Sequence, residues 1–312
     1  MTFSASGEMP AGAGFSQRHV KNALGRVVSL YDFLVFSSLV LCLECVAMAY
    51  VSCFIQQVPF NPVIAVIAFL AAFSIYNLNR KTDEEEDAVN RLDRFAFTKR
   101  YESYLFYGSI LAFAGALGLA ATGGLFAVIA TAAPFVFGFL YSFRCLPEWC
   151  GYRRLKEIPT MKNITVGLAW ATLLALLPVY MNLQTPDDKT VVTFVLFFMW
   201  GVMASLLPDI RDRPGDERAG VRTIPVIYGE AGTRQILTVI LLLLGIPLVL
   251  YSAFFFPLPV TILILAANLY SHLCVGLSDI PGLINLVADG ISDGMYISFA
   301  GCLAIVLLFP AV

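Results

Sequence analysis

Two acidic clusters stand where long apolar segments end, and their spacing suits the binding of a divalent metal ion. Their sequences are Asn79-Arg-Lys-Thr-Asp83-Glu-Glu-Glu-Asp87 and Asp209-Ile-Arg-Asp212-Arg-Pro-Gly-Asp216. Aspartates four residues apart project from one face of a helix, where like charges repel unless a cation or a proton neutralises them. Two such clusters brought together would hold divalent metal and, through the metal, a diphosphate group.

In the first cluster, Asn79, Asp83 and Asp87 recur every four residues. They are expected to form one stripe on a helix that continues past the second apolar segment. An amide oxygen and two carboxylates on one stripe suit Mg²⁺, which takes oxygen ligands and shares them with phosphate oxygens. The five consecutive acids from Asp83 to Asp87 are equally typical of a solvated helix end. This cluster alone therefore leaves both interpretations open.

The second cluster begins with Asp209 and Asp212, three residues apart at the end of the sixth apolar segment. Pro214 follows, and a proline cannot donate a helical hydrogen bond. The sequence therefore predicts that the helix is interrupted here. Asp216 is expected to belong to a short following helix that begins near Pro214, a position where proline is tolerated.

The composition indicates an all-α integral membrane protein. Of the 312 residues, 59% are hydrophobic and 13% are charged, whereas soluble domains average about 45–50% apolar residues. The mean hydropathy is +0.79. A bilayer core of roughly 30 Å requires about 20 apolar residues per helix. Nine segments come close to that length and predict nine transmembrane helices in a single bundle around a central cavity, near residues 29–54, 62–79, 103–122, 124–142, 163–182, 190–208, 235–256, 258–277 and 288–310.

The orientation follows from the lysines and arginines, because cytoplasmic loops carry their excess. These residues precede the first span and follow the second, fourth and sixth, whereas only Lys189 falls on the other side. With nine spans the amino terminus is predicted to be cytoplasmic and the carboxyl terminus to lie outside. Both acidic clusters then face the cytoplasm, in a multi-pass protein of the cell (plasma) membrane.

The chain is predicted to form one membrane domain. Residues 1–28 lack an apolar run of signal-peptide length and are expected to be a mobile tail with a basic lead-in; the domain comprises residues 29–312. Loops of about twenty residues in a compact domain are usually functional. Three of them, at 80–102, 143–162 and 209–234, are expected to form a cytoplasmic cap over the cavity.

These motifs resemble those of the UbiA superfamily of intramembrane prenyltransferases. The matching residues are Asn79, Asp83, Asp87, Asp209, Asp212, Asp216, Gly220, Thr223 and Pro225. Tyr141 and the basic segment around Lys156 also look like that family's tyrosine and basic loop. The resemblance covers about residues 25–310 and implies nine transmembrane helices, with Mg²⁺ and an isoprenyl diphosphate bound between the two motifs.

The sequence departs from the family pattern at three motif positions. Arg80 follows the motif asparagine where many members have aspartate, Pro214 replaces what is often an acid, and Glu217 stands where arginine commonly follows the last aspartate. These departures bear more on the acceptor than on the metal site.

The resemblance implies roles for particular residues. The expected metal ligands are Asp83, Asp87, Asp209, Asp212 and Asp216. Asn79 is expected to orient a phosphate or the metal, and the candidate diphosphate contacts are Lys156, Arg144, Lys162 and Arg222. For these cations the alternative is ordinary positive-inside anchoring. Tyr141 and Tyr76 are candidates for presenting ring faces to a carbocation, or are interfacial belt residues.

The implied reaction is Mg²⁺-dependent transfer of a prenyl chain from its diphosphate to a lipophilic acceptor within the bilayer. A terpene cyclase of the same superfamily and a cation-binding transporter remain as alternatives. The acceptor stays open among a hydroxybenzoate or naphthoate ring, a phenazine-like ring and a glycerol-phosphate lipid. No nucleic-acid partner is expected.

Three further acids lie in or beside apolar spans. Glu44 is near the middle of the first span, where an acidic residue costs roughly 2.5–3.5 kcal/mol on the insertion scale, so it should face the interior of the bundle. Glu44 either contacts the acceptor or accepts a proton, or it is a neutral, hydrogen-bonded carboxyl that packs between helices. Asp289 and Asp293, at the start of the ninth span, have the same two interpretations.

Overall fold

The structure is a computed structural model. It describes residues 33–82, 92–142, 147–148, 151–153, 155, 158, 160–218 and 222–308. Within these residues the chain is helical and contains no β-strand, which confirms the all-α prediction for this part. The helices are α1 Leu39–Gln56, α2 Pro62–Thr82, α3 Leu92–Arg100, α4 Glu102–Ala120, α5 Leu125–Ser142, α6 Met161–Met181, α7 Asp188–Arg218, α8 Ile224–Phe255, α9 Leu258–Leu277, α10 Ile284–Leu286 and α11 Ser292–Leu308.

Seven helices of the described part are long and apolar enough to cross a membrane, namely α1, α2, α4, α6, α7, α8 and α9. They indicate a chain that crosses the bilayer several times. The predicted fourth and ninth spans are also helical, but the apolar part of α5, Leu125–Leu140, and the 17-residue α11 are shorter. The count of nine membrane spans therefore stays a prediction.

Two of the three segments predicted as cytoplasmic cap loops are largely helical where they are described. The first contains α3, and the third consists mostly of the end of α7 and the beginning of α8. Within α8, Gly229 has φ 72° and interrupts the helical geometry, a backbone conformation that glycine adopts without steric cost. The helix-rich character of these segments was not apparent from their charge.

Helix α7 corrects the prediction for the second acidic cluster. It continues through Pro208 and Pro214 to Arg218, so the expected interruption at Pro214 is wrong. A proline removes one backbone hydrogen bond, and neighbouring groups in membrane bundles commonly compensate for that loss. At 31 residues the helix is about 46 Å long and exceeds the roughly 30 Å hydrocarbon core. Its acidic end thus projects towards the membrane surface on a continuous helix.

Helices α6 and α7 approach each other closely at a pair of glycines. A Cβ atom added to Gly201 would lie 2.8 Å from the Cα atom of Gly167. Real Cβ atoms are not found that close to backbone atoms, so the two helix backbones must separate to accommodate even one methyl group. The glycine pair therefore sets the distance between α6 and α7.

Gly201→Ala is expected to destabilise the protein by about 1–3 kcal/mol, the usual cost of overpacking a filled interior. The effect would be measured as a lower thermal unfolding temperature in detergent. Gly118→Ala is the matched control, because a Cβ atom at Gly118 would meet nothing within 4 Å. Equal unfolding temperatures for the two variants would contradict the close packing at Gly201.

A buried polar network joins α1, α6 and α7 at the ends remote from the acidic cluster. The Gln56 amide donates hydrogen bonds to Ser52 Oγ at 2.9 Å and to the Ala175 carbonyl at 3.0 Å. Thr190 Oγ1 in turn donates to Gln56 Oε1 at 2.8 Å. Buried polar groups that are satisfied in this way fix the rotation of the helices that carry them. The network therefore orients three helices that line the central cavity.

Candidate active site

A cavity of about 360 Å³ opens between the helices of the described part. Its wall comes from α1, α2, α3, α5, α6, α7, α11 and the π-helical segment Val287–Ile291 that precedes α11. The charged and amide side chains in the wall are Asn79, Arg80, Arg94, Lys162, Asp209, Arg211, Asp212, Asp289 and Asp293. Aromatic side chains complete it: Tyr76, Phe137, Trp170 and Trp200.

The cavity brings together residues of the two acidic motifs. Asn79 lies in the last turn of α2, whereas Asp209 and Asp212 lie near the end of α7, and all three line the same space. The predicted ligands Asp83 and Asp87 fall outside the described residues, as do the predicted phosphate contacts Arg144 and Lys156. Tyr141 belongs to the last turn of α5, and its side chain is also outside the described part.

Asp209 is held between α6 and α7 by two side chains of α6. Lys162 Nζ lies 2.6 Å from Asp209 Oδ1, and Asn163 Nδ2 donates to Oδ2 at 3.0 Å. Asn163 Nδ2 also donates to Ser205 Oγ at 3.0 Å. Asp209 is buried, and charge-assisted hydrogen bonds of this kind stabilise a buried carboxylate. Lys162, predicted from sequence as a phosphate contact, thus stands directly beside the second motif.

Asp212 is bound by the neighbouring arginine. Arg211 Nε and Nη2 donate to the two oxygens of Asp212 at 2.8 and 2.9 Å, while Nη1 donates to Asp289 Oδ1 at 2.5 Å. The Arg211 side chain is only 11% exposed. One guanidinium therefore bridges two carboxylates from different helical segments. A metal ion bound by Asp212 would share that carboxylate with Arg211 or take its place.

Two other predicted residues are described but do not line the cavity. Asp216 is partly buried and interacts electrostatically with Lys162, Asp209 and Asp212. It therefore belongs to the same acidic cluster, one helical turn beyond Asp212. Arg222 is exposed just before α8.

Arg80 and Arg94 are cavity residues that the sequence did not single out as candidate contacts. Arg80 is buried, and its guanidinium donates to the carbonyl of Phe36 and to that of Val35 at 3.2 Å. These carbonyls precede a break at Ser38, where φ is 65°. The signal for Arg80 was present in the sequence, since arginine stands there in place of the acid found in many family members. Arg94 had no comparable signal because α3 was expected to be a loop.

The aromatic part of the wall lies deeper in the bundle. Tyr76 stacks on Trp170 with ring centroids 5.5 Å apart and an interplanar angle of 22°. Trp170 follows Lys162 by eight positions on α6 and Trp200 precedes Asp209 by nine on α7, so each lies about 12–14 Å deeper along its helix at 1.5 Å per residue. The cavity thus has a charged region near the helix ends and an aromatic region below it. The faces of such rings attract cations.

The side chains in the charged region fit a hard divalent cation. No group of three or more carboxylate, histidine or cysteine side chains placed to hold a metal occurs in the described ranges, which leave out residues 83–91 and with them Asp83 and Asp87. Two carboxylates and one amide from α2 and α7 do line one space. Such sparse oxygen ligands are characteristic of Mg²⁺ sites that are completed by water and substrate phosphate oxygens.

Comparison with known proteins gives relatives in sequence and in structure. Digeranylgeranylglyceryl phosphate synthase of Pyrococcus horikoshii is 26% identical over 172 residues, or 54% of this chain and 56% of that protein. The synthase of the same name from Pyrococcus furiosus is 32% identical over 158 residues, or 47% and 49% of the two chains. The chain thus spans about half the length of these curated relatives.

Solved structures share the fold over most of their length. A UbiA homologue from Archaeoglobus fulgidus bound to GPP and Mg²⁺ has a TM-score of 0.64 at 16% identity, covering 87% of this chain and 98% of that one. A UbiA homologue from Aeropyrum pernix K1 has a TM-score of 0.65 at 12% identity, with the same coverage. The model of the UbiA prenyltransferase family matches residues 29–280. This match covers most of the polypeptide and includes both acidic motifs, and the chain therefore belongs to the UbiA prenyltransferase family.

Proposed function

We propose that the chain transfers a prenyl group from an isoprenyl diphosphate to a lipophilic acceptor within the membrane, in a reaction that requires Mg²⁺. The observation that carries this proposal is one cavity with paired acids and bases near the helix ends and aromatic side chains beneath them. A diphosphate fits the first region and an isoprenoid chain the second. The names of the relatives and of the bound molecules in related structures agree with this assignment.

The proposed metal ligands are Asp83, Asp87, Asp209, Asp212 and Asp216, with Asn79 orienting a phosphate or the metal. When bound, Mg²⁺ supplies positive charge that stabilises the departing diphosphate. Lys162 and Arg211 stand beside the acids and would add fixed positive charge at the same oxygens. The proposal retains Arg144, Lys156 and Arg222 as further diphosphate contacts.

The aromatic region would protect the allylic cation that forms as the diphosphate leaves. The stacked pair of Tyr76 and Trp170 presents ring surface to the cavity, and each cation–π contact is worth about 0.5–2 kcal/mol. Tyr141 is proposed for the same role. Apolar walls also exclude water, which would otherwise capture the cation and give a prenyl alcohol.

The proposed arrangement in the membrane is nine helices, with the amino terminus, both acidic motifs and a cap of connecting segments on the cytoplasmic side of the cell membrane. The distribution of lysine and arginine supports it. A water-soluble diphosphate would then enter from the cytoplasm while the acceptor arrives through the bilayer.

The proposed function is tested by incubating purified protein with Mg²⁺, allylic diphosphates of increasing chain length and a panel of acceptors, with lipid products identified by mass. A product that depends on the acceptor, together with released diphosphate, is expected. A cyclised hydrocarbon formed without any acceptor would support the terpene cyclase instead. Cation flux across liposomes without any product would support a transporter.

A further inference from the structure

A buried arginine stands between two carboxylates on the cavity wall. Arg211, Asp212 and Asp289 all line the cavity. Arg211 Nε and Nη2 donate to the two oxygens of Asp212 at 2.8 and 2.9 Å, and Nη1 donates to Asp289 Oδ1 at 2.5 Å. The Arg211 side chain is 11% exposed, against 24% for Asp212 and 34% for Asp289. The guanidinium is therefore the most buried of the three groups, and a different carboxylate holds each of two of its edges.

Asp289 belongs to a π-helical turn whose position is fixed by its neighbours. The turn comprises Val287–Ile291 and precedes α11. π-Helical turns are rare and occur frequently at functional sites. Ala288 is buried within the bundle, and the hydroxyl of Tyr270 on α9 donates to the Ile291 carbonyl at 2.9 Å. The packing of the turn therefore holds the backbone of Asp289 at the cavity wall.

Arg211 competes with a divalent cation for Asp212. Both oxygens of Asp212 accept hydrogen bonds from Arg211, whereas a carboxylate that binds Mg²⁺ must direct at least one oxygen to the ion. The guanidinium and the metal ion are both positive, and they repel each other when one carboxylate binds both. For Asp212 to become a metal ligand, the guanidinium must therefore give up part of its contact with Asp212.

Asp289 provides the carboxylate that Arg211 keeps after this change. Removing one partner of a buried ion pair is costly because the remaining charge is left uncompensated. Arg211 can release Asp212 while its hydrogen bond from Nη1 to Asp289 persists. The edge formed by Nε and Nη2 then becomes available to diphosphate oxygens, which arginine binds in the same two-pronged geometry as a carboxylate.

We propose that Asp289 is a positioning residue that acts through Arg211. It retains the guanidinium when Asp212 becomes a metal ligand, and it thereby sets how readily the second acidic motif takes up a divalent cation. The inference rests on the proposed prenyl transfer and adds no covalent step to that reaction. Asp289 itself contacts neither the metal ion nor the diphosphate, which distinguishes it from Asp212.

Asp289→Asn is expected to raise the Mg²⁺ concentration for half-maximal transfer about tenfold, a typical coupling between residues in contact, and to lower kcat less. Asparagine keeps the shape of the side chain but lacks the charge that retains Arg211. Calorimetric titration with Mg²⁺ at a saturating allylic thiodiphosphate should show the same loss of Mg²⁺ affinity. Asp279→Asn is the matched control, because Asp279 pairs with Arg234 at 2.6 Å outside the cavity wall.

The variant Arg211→Gln separates an effect through the guanidinium from a direct effect of Asp289. In a chain that already carries Arg211→Gln, the further change Asp289→Asn should alter the Kd for Mg²⁺ by no more than about twofold, the usual error of additivity. A carboxylate that binds the metal directly would weaken Mg²⁺ binding equally in both backgrounds. Asp289→Glu keeps the charge and should have a Kd for Mg²⁺ closer to wild type than to Asp289→Asn.

Thermal unfolding identifies an ion pair that has only a structural role. A lower unfolding temperature of Asp289→Asn with a wild-type Kd for Mg²⁺ would overturn the inference, and so would equal losses of affinity in the two backgrounds. Both of these results would leave prenyl transfer standing. Absence of Mg²⁺-dependent thiodiphosphate binding and of any prenylated product in the wild-type protein would overturn the proposed function together with the role of Asp289.

Discussion

Asp212→Asn is expected to reduce prenyl transfer by about 100- to 1,000-fold, the loss seen when one preorganised electrostatic contact to a developing charge is removed. Asparagine keeps the shape of aspartate and one acceptor oxygen but loses the negative charge that a metal ion requires. Folding should survive, because Arg211 keeps its second carboxylate partner, Asp289. The measurement is product formation by mass spectrometry at saturating Mg²⁺ and donor.

The same substitution at Asp279 provides the control. Asp279 also forms a close ion pair with an arginine, at 2.6 Å from Arg234, but its side chain is 69% exposed and lies outside the cavity wall. Asp279→Asn should therefore retain wild-type transfer. Full activity of Asp212→Asn at saturating Mg²⁺ would contradict its assignment as a metal ligand.

Removal of divalent metal is expected to abolish prenyl transfer while leaving the protein folded. Among the described acids of the cavity, Asp209 pairs with Lys162, and Asp212 and Asp289 pair with Arg211. Internal cations thus offset part of this negative charge when no metal is bound. Chelation by EDTA should consequently shift the unfolding temperature only slightly, because each of these carboxylates keeps a cationic partner without Mg²⁺.

Adding back Mg²⁺ should restore product formation in full. Ca²⁺ should restore less, because it prefers six to eight ligands at longer distances than the octahedral Mg²⁺ geometry allows. Dialysis against metal-free buffer provides the control for any effect of EDTA itself. Undiminished transfer in chelated, dialysed protein would rule out the metal-dependent reaction, and irreversible unfolding by EDTA would show that the metal has a structural role.

The elements that carry a strong periodic signal could be predicted from the sequence. The apolar segments predicted the positions of the long helices, since about twenty apolar residues allow little other than a membrane helix. The two acidic motifs pointed to Asn79, Asp209 and Asp212, which line one cavity. Lys162 was also named in advance, although its contact with Asp209 required the packing of α6 against α7.

Other features depend on tertiary packing and could not be read from a local pattern. Pro214 is a helix breaker by local rules, yet α7 continues through it to Arg218, as the packing of membrane helix bundles allows. The bridge from Arg211 to Asp289 joins residues that are distant in the chain.

The contact between Gly167 and Gly201 affects the spacing of charged groups about one to two helical turns away. Gly167 lies five residues from Lys162 on α6, and Gly201 lies eight residues from Asp209 on α7. The distance between the helices at the glycine pair therefore helps to set the distance between the Lys162 ammonium and the Asp209 carboxylate. A methyl group added at either glycine would separate the two helices and move these two charges apart. Two residues without side chains would thereby tune the electrostatic environment of the second acidic motif.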